Sequence, residues 1–556
     1  MAAEPICNIA AFLPELAAQR PEQAAIHCPI GRGRDGRQRY NTYSLAELDA
    51  RSDRIARALQ SHGIGRGVRT VLMVQPSFSF FALTFGMFKA GVVPVMIDPG
   101  IGLSQLKTCI AEAEPEAFIG VGRAHVARLL FGWGRSTIDK LVTVGRRWCW
   151  GGATLAGLES AVADDGNWTM APTQPEEVAA ILFTSGSTGV PKGVVYEHRH
   201  FIGQVEMIRS TYGIEPGEVD LPTFPLFALF DPALGMTTVV PNMDFTRPAS
   251  VDPRDIIEPI QQFSVTNMFG SPALLDTVGR WASERDVELP SVRRVISAGA
   301  PVPTTVLRRI DAMLQEKAQI FTPYGATECL PVCSIGSDEV LAETGAKSAQ
   351  GAGVCVGRPV APNEVAVIAI DDEPIVSWSE ATVLERGEIG EIVVKGPTVT
   401  SSYHGRDAST VLAKIVDGVR LRHRMGDLGY FDDQGRLWFC GRKSHRLQTA
   451  VGTLFTTPCE AVFNTIEGVY RSALVGVGVV GDQRPVLCVE LERDGQKVAA
   501  EALERQLYDC AQSHDHTRSI QTFLFHSGFP VDIRHNAKIN RPQLALWASA
   551  QLEEEL

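Results

Sequence analysis

No run of about 18 apolar residues occurs in the chain, which excludes an ordinary membrane-spanning helix. The N-terminal stretch lacks a basic region followed by a long apolar run, so no secretory leader is expected. A cytoplasmic location follows as the expectation. Paired metal-binding cysteines are also missing. The eleven cysteines are scattered and contain no C-x-x-C pair. Cys329 and Cys333 stand close together, but no second Cys/His pair with zinc spacing accompanies them. They read as small buried apolar residues in a reducing compartment. An excess of positive charge is absent too. Lys and Arg number 52 against 64 Asp and Glu, a net charge of −12, which argues against a nucleic-acid binder. Internal repeats and low-complexity tracts are lacking.

What is present is ordinary for a globular enzyme. Hydrophobic residues make up 45% and charged residues 21% of 556 residues, more than one domain's worth of chain. In the first half, helix-like and strand-like segments alternate. Ser44 and Glu47 form a capping-box pattern before an amphipathic helix that ends near Gly63. Strand candidates follow at 70–74, 92–97, 117–121 and 141–144, with a helix at 78–90. That alternation predicts an α/β fold with parallel-rich sheets covered by helices. The polar stretch 441–446 marks a boundary near 443. Beyond it the pattern restarts with a helix at 458–466, strands at 472–477 and 485–491, and a helix at 499–511. The expected organisation is a large domain over 1–443 and a small, mobile α+β domain over 444–556.

The central chemical signal lies at 181–193. An apolar strand over 178–183 runs into Thr184, Ser185, Gly186, Ser187, Thr188 and Gly189. Successive backbone N–H groups in such a loop can converge on an anion. The hydroxyls of Thr184, Ser185 and Thr188 add donors, and Lys192 adds a positive charge suited to phosphate. This is not a Walker A loop, because Pro191 precedes Lys192 and Gly193 follows it.

This segment resembles the phosphate loop of the adenylate-forming superfamily of acyl-CoA synthetases, luciferases and peptide-synthetase adenylation domains. The similarity extends over nearly the whole chain. Gly299, Ala300 and Pro301 resemble the family's adenine-binding strand end. The segment 322–328 resembles its central loop. There the resemblance implies Tyr324 against adenine, Gly325 and Ala326 beside it, Thr327 at the α-phosphate and Glu328 on magnesium, with Thr184 as a second metal candidate. Asp427 matches the ribose-binding aspartate and Arg442 the arginine that follows it. The segment 530–541 resembles the one that delivers the catalytic lysine, here Lys538. The resemblance therefore implies ATP and Mg²⁺ as cofactors. It makes Lys538, Glu328, Thr184 and Lys192 the catalytic set. Such roles fit the reaction, since bringing a carboxylate onto the α-phosphate joins two anions and calls for positioning and charge neutralisation.

Three stretches, 220–235, 324–331 and 526–538, are similar to one subfamily, the β-lactone synthetases of bacterial long-chain olefin formation. The resemblance implies that a 2-alkyl-3-hydroxy acid is adenylated and then closed by its own 3-hydroxyl. It also implies association with a β-lactone decarboxylase. Departures from common acyl-CoA synthetases agree: Ala228 stands where a histidine is usual, Thr322-Pro323 replaces a common Gln-Gly or Asn-Gly, and Ser444 takes the usual hinge position. Phe224, Phe227, Leu229, Phe230, Met268 and Phe269 are the expected acyl-pocket wall. His198, His200 and His423 lie near the motifs and read first as structural. The alternatives are a long-chain acyl-CoA or acyl-AMP ligase, a non-catalytic acyl or nucleotide sensor, and a peptide-synthetase module. For the last, Asp231 near the acyl loop is the pointer, and no carrier domain follows Lys538.

Overall fold

The computed structural model describes residues 6–162, 168–184, 190–492, 500–531 and 539–554. Two seven-stranded sheets form its larger part. In the first, Ala153–Thr154, Lys140–Val144, Ala117–Val121, Arg69–Met73, Val93–Met96 and Val178–Phe183 run parallel, and Gly193–Glu197 closes the edge antiparallel. In the second, six parallel strands from Gln319–Phe321 to Ala24–Arg32 end in antiparallel Gln38–Ser44. Their apolar runs are buried on both faces, as parallel sheets require. Helices Leu45–Ser61, Phe78–Lys89 and His198–Tyr212 share one apolar core with strands of both sheets. The chain is thus α/β, as its alternation predicts.

A third sheet departs from that pattern. Eight strands between Tyr324 and Arg442 pair antiparallel throughout. Beyond it, Val469–Val477, Arg484–Leu491 and Thr522–Phe525 build a three-stranded sheet. Leu474, Leu487 and Val489 of that sheet pack with Phe463 and Leu507 into a core of their own. The helices here are Thr456–Phe463, Ala500–Ser513 and Arg541–Glu554, so the first begins and ends earlier than its periodicity suggests.

Local chemistry explains the helix starts. Ser44 accepts from the Glu47 N–H at 3.2 Å, and the Glu47 carboxylate accepts from the Ser44 N–H at 2.7 Å, completing the capping box. The same helix is tied to its neighbour by Lys89, fully buried, whose Nζ reaches Asp49 and Asp53 at 2.5 Å each. Removing that cation leaves two partly buried carboxylates side by side without their shared counter-ion. Lys89→Met is therefore expected to cost about 3 kcal/mol of stability, checked by urea denaturation with tryptophan fluorescence; a loss under about 1 kcal/mol would contradict the pairing argument.

Candidate active site

One cavity of about 1140 Å³ opens where the three large sheets meet. Strand ends and crossing loops form it, because parallel sheets leave their carboxyl ends free for ligands. At one end of the cavity stand Thr184, Lys192, Gly299, Ala300, Pro301, Tyr324, Gly325, Ala326, Thr327, Glu328, Asp427 and Arg442. Residues distant in sequence therefore converge as the motif reading expects. Ser185, Gly186, Ser187, Thr188, Gly189 and Lys538 lie outside the described residues.

The phosphate-loop candidate is flanked by two strands, Val178–Phe183 and Gly193–Glu197, that pair antiparallel. Its neck is pinned twice. The Thr184 N–H donates to the Lys192 carbonyl at 3.0 Å, and the Lys192 N–H donates to Thr184 Oγ1 at 3.1 Å. The Lys192 ammonium lies 4.8 Å from the centre of the Tyr403 ring, a cation–π contact that holds the charge at the cavity.

Tyr403 also orients Glu328, donating its hydroxyl to Oε1 at 2.6 Å. The Glu328 carbonyl accepts from both the N–H and the hydroxyl of Thr400 at 3.0 Å. Behind them Lys414 is buried, and burial lowers its ammonium to a pKa of about 8. None of Tyr403, Thr400 and Lys414 carries a motif. Their contribution depends on a loop folding back some 75 residues downstream of Glu328.

Asp427 lies within the strand Arg420–Phe431. Tyr324 donates to its Oδ2 at 2.6 Å, and Arg442 approaches its Oδ1 at 3.0 Å. Burial raises the Asp427 carboxyl above its ordinary range, with Arg442 and Tyr324 opposing. Gly426 adopts φ 64°, which bends the strand just before it. The result is a fixed carboxylate beside an aromatic ring and a guanidinium.

The histidines behave as structural groups. Burial lowers His198 to about 4 and His200 to about 3, and His423 well below its usual range. His200 Nδ1 accepts from the Glu197 N–H at 2.9 Å, capping its helix. Only His423 of the three lines the cavity, with Nδ1 against the Ala413 carbonyl at 3.2 Å.

The opposite end of the cavity is mostly aromatic and aliphatic. Phe224, Phe227, Leu229, Phe230 and Phe269 line it, with Phe227 and Phe269 ring centres 4.4 Å apart. Met268 does not belong to this wall. It packs into the separate core behind the second sheet, because alternate residues of Asn267–Phe269 face opposite sides. Two aspartates also line this end, Asp220 and Asp231; both lie in the stretch 220–235, but the sequence singles out only Asp231, by its proximity to the acyl loop.

The AMP-binding enzyme family model matches residues 13–404. An olefin beta-lactone synthetase of Xanthomonas campestris pv. campestris is 56% identical over 552 residues, covering 98% of each chain. One from Stenotrophomonas maltophilia is 57% identical over 555 residues, covering 99% of each. The fold is shared with an amide bond synthetase from Marinactinospora thermotolerans (TM-score 0.77, 20% identity, 97% of this chain and 99% of that one). It is also shared with an o-succinylbenzoate coenzyme A synthetase from Bacillus subtilis in complex with AMP (TM-score 0.74, 20% identity, 96% and 97%). A match over well more than half of the chain and two near-full-length relatives establish the assignment: the chain belongs to the AMP-binding enzyme family.

Proposed function

We propose that this enzyme uses ATP to convert a 2-alkyl-3-hydroxyalkanoic acid, through its acyl-adenylate, into a β-lactone, AMP and pyrophosphate. The observation that carries this reading is the cavity itself. A cluster of nucleotide-suited groups and an aromatic acyl wall share one space, in a chain 56% and 57% identical to two olefin beta-lactone synthetases.

Each group has a part. Asp427 accepts from the ribose hydroxyls, held by Arg442 and Tyr324, and the Tyr324 ring lies on adenine beside 299–301. Lys192, the 184–189 loop and Thr327 receive the phosphates. Lys538 lies between the attacking carboxylate and the α-phosphate. The protein binds the acid at the aromatic wall, holds its carboxylate in line with the α-phosphate and excludes water from the adenylate. Among the described residues no cluster of three or more His, Cys, Asp or Glu could hold a metal alone. One carboxylate, Glu328, faces the phosphate end, which suits Mg²⁺, an ion that keeps waters and binds chiefly through phosphate oxygens. Bound there, it would neutralise phosphate charge, with Thr184 as a second oxygen donor.

The same reading divides the chain into an acid- and nucleotide-binding domain over 1–443 and a lid over 444–556. It places the enzyme in the cytoplasm. No helix among the described residues is long and apolar enough to cross a membrane. A β-lactone decarboxylase is the natural partner, since a strained lactone needs prompt consumption.

The test is product identification. Purified enzyme with a synthetic 2-alkyl-3-hydroxy acid, ATP and Mg²⁺, without coenzyme A, is expected to release AMP and a lactone that extracts into organic solvent. An absolute requirement for coenzyme A, with a thioester product, would replace this reading by an acyl-CoA ligase.

A further inference from the structure

The acyl end of the cavity holds a pair of carboxyl groups that none of the roles above uses. Asp220 stands in the strand Val219–Pro222, and Asp231 opens the short helix Asp231–Leu234. Each is 3% exposed, and each lines the cavity. Register pairing sets Thr238, Asp220 and Asn267 side by side on three neighbouring parallel strands, so their side chains share one face. The Thr238 hydroxyl donates to Asp231 Oδ2 at 2.7 Å, and the Asn267 amide donates to Asp220 Oδ1. Thr238 thus ties the two together, bonded to Asp231 and lying beside Asp220 on the neighbouring strand. The nearby guanidinium of Arg294 is committed to Glu218 at 2.6 Å, and no salt bridge joins the pair to a cation among the described residues.

A second observation points to a ligand. Asn267 is 4% exposed and lines the cavity, yet its Oδ1 has no hydrogen-bond partner among the described residues. A buried acceptor left without a donor costs about 1–3 kcal/mol, which a bound hydroxyl would relieve. A hydrocarbon chain alone needs neither that oxygen nor two carboxyl groups in its wall. A polar substituent on the acid does.

We propose that the Asp220–Asp231 pair takes the proton of the substrate's 3-hydroxyl as the ring closes, the hydroxyl first donating to Asn267 Oδ1 and then turning its single proton to the carboxylate. This assignment rests on the β-lactone reading above. In the step, the 3-oxygen bonds to the acyl carbon and the bond from that carbon to the adenylate oxygen breaks. AMP leaves with the bonding electrons, and the hydroxyl proton passes to the ionised carboxylate. The proton returns to solvent on product release. Burial raises the Asp220 carboxyl to about 7 and Asp231 well above the usual range, so near neutral pH Asp220 is about half ionised and a proton acceptor is present. The charged and titratable groups around it are Glu218 and Arg294 on the sheet, and Arg209 and Tyr212 on the covering helix.

Asp231→Asn and Asp220→Asn test the assignment in the full chain, with two readouts. ATP–pyrophosphate exchange, which reports adenylation alone, is expected to stay within about threefold, while lactone release falls at least about a hundredfold and hydroxylamine traps the accumulating adenylate. Unchanged lactone release, or a parallel loss of both activities, would overturn it. If the substituted chains do not fold, single-turnover ring closure by the parent enzyme decides. Its rate is expected to drop about tenfold per unit below the Asp220 value of about 7, with adenylation unaffected; a flat profile refutes the pair. Failure of the parent enzyme to give any lactone would instead refute the underlying reading.

Discussion

A Lys538→Ala enzyme is expected to form acyl-adenylate about a thousandfold more slowly than the parent while binding ATP nearly as well. Adenylation drives a carboxylate into a phosphate that already carries negative charge, so much of the barrier is electrostatic. A donor held where charge develops is worth about a hundred- to thousandfold in rate, and a full ammonium should stand at the upper end of that range. Binding behaves differently. Asp427, Arg442, Tyr324 and Lys192 all line the cavity at the end proposed for the nucleotide, so ground-state affinity should survive. ATP–pyrophosphate exchange measures the first quantity and calorimetric titration with ATP the second. An exchange rate within tenfold of the parent would show that another group delivers the charge. A joint collapse of rate and affinity would make Lys538 a binding residue instead.

The parts legible in the sequence were those where a local rule and the final structure agree. Ser44 and Glu47 satisfy each other's backbone across one turn, so their spacing alone reports a helix start. Val178–Phe183 is apolar at all six residues and needs no distant partner to be read as a buried strand. Thr184, Lys192, Tyr324, Glu328, Asp427 and Arg442 were legible because they stand in contiguous motifs. What was hidden depends on tertiary contact. Met268 and Phe269 are adjacent and both apolar, and only the pleat of a three-residue strand decides which one meets the substrate cavity. Tyr403 has no motif, and it becomes part of the site through a loop that returns to Glu328. Asp220 and Asp231 come together through Thr238, which bonds Asp231 and lies beside Asp220 on the neighbouring strand. The antiparallel third sheet was hidden for a related reason, since its hairpins are irregular and broken by register shifts.

Asp427→Ala is expected to lower kcat/KM for ATP about a thousandfold. Hydrogen bonds to a charged acceptor are worth about 1.5–3 kcal/mol each, and two ribose hydroxyls facing one buried carboxylate together give about 4 kcal/mol. Every tenfold in rate costs about 1.4 kcal/mol, which sets the scale. The substitution also strands its neighbours. Arg442 loses the carboxylate 3.0 Å away, and the Tyr324 hydroxyl loses its 2.6 Å acceptor, so the ring that should carry adenine is no longer held from its far edge. Asp427→Asn keeps one carbonyl acceptor and should lose only about tenfold to thirtyfold. Sugar chemistry separates ribose recognition from general damage. The parent enzyme should discriminate strongly between ATP and 2′-deoxy-ATP, because the deoxy sugar leaves a buried carboxylate oxygen unpaired. The alanine enzyme has no such oxygen and should treat the two nucleotides alike. If it still prefers ATP by the parental ratio, the ribose is read elsewhere, and the strand Arg420–Phe431 positions Tyr324 and Arg442 without touching the sugar.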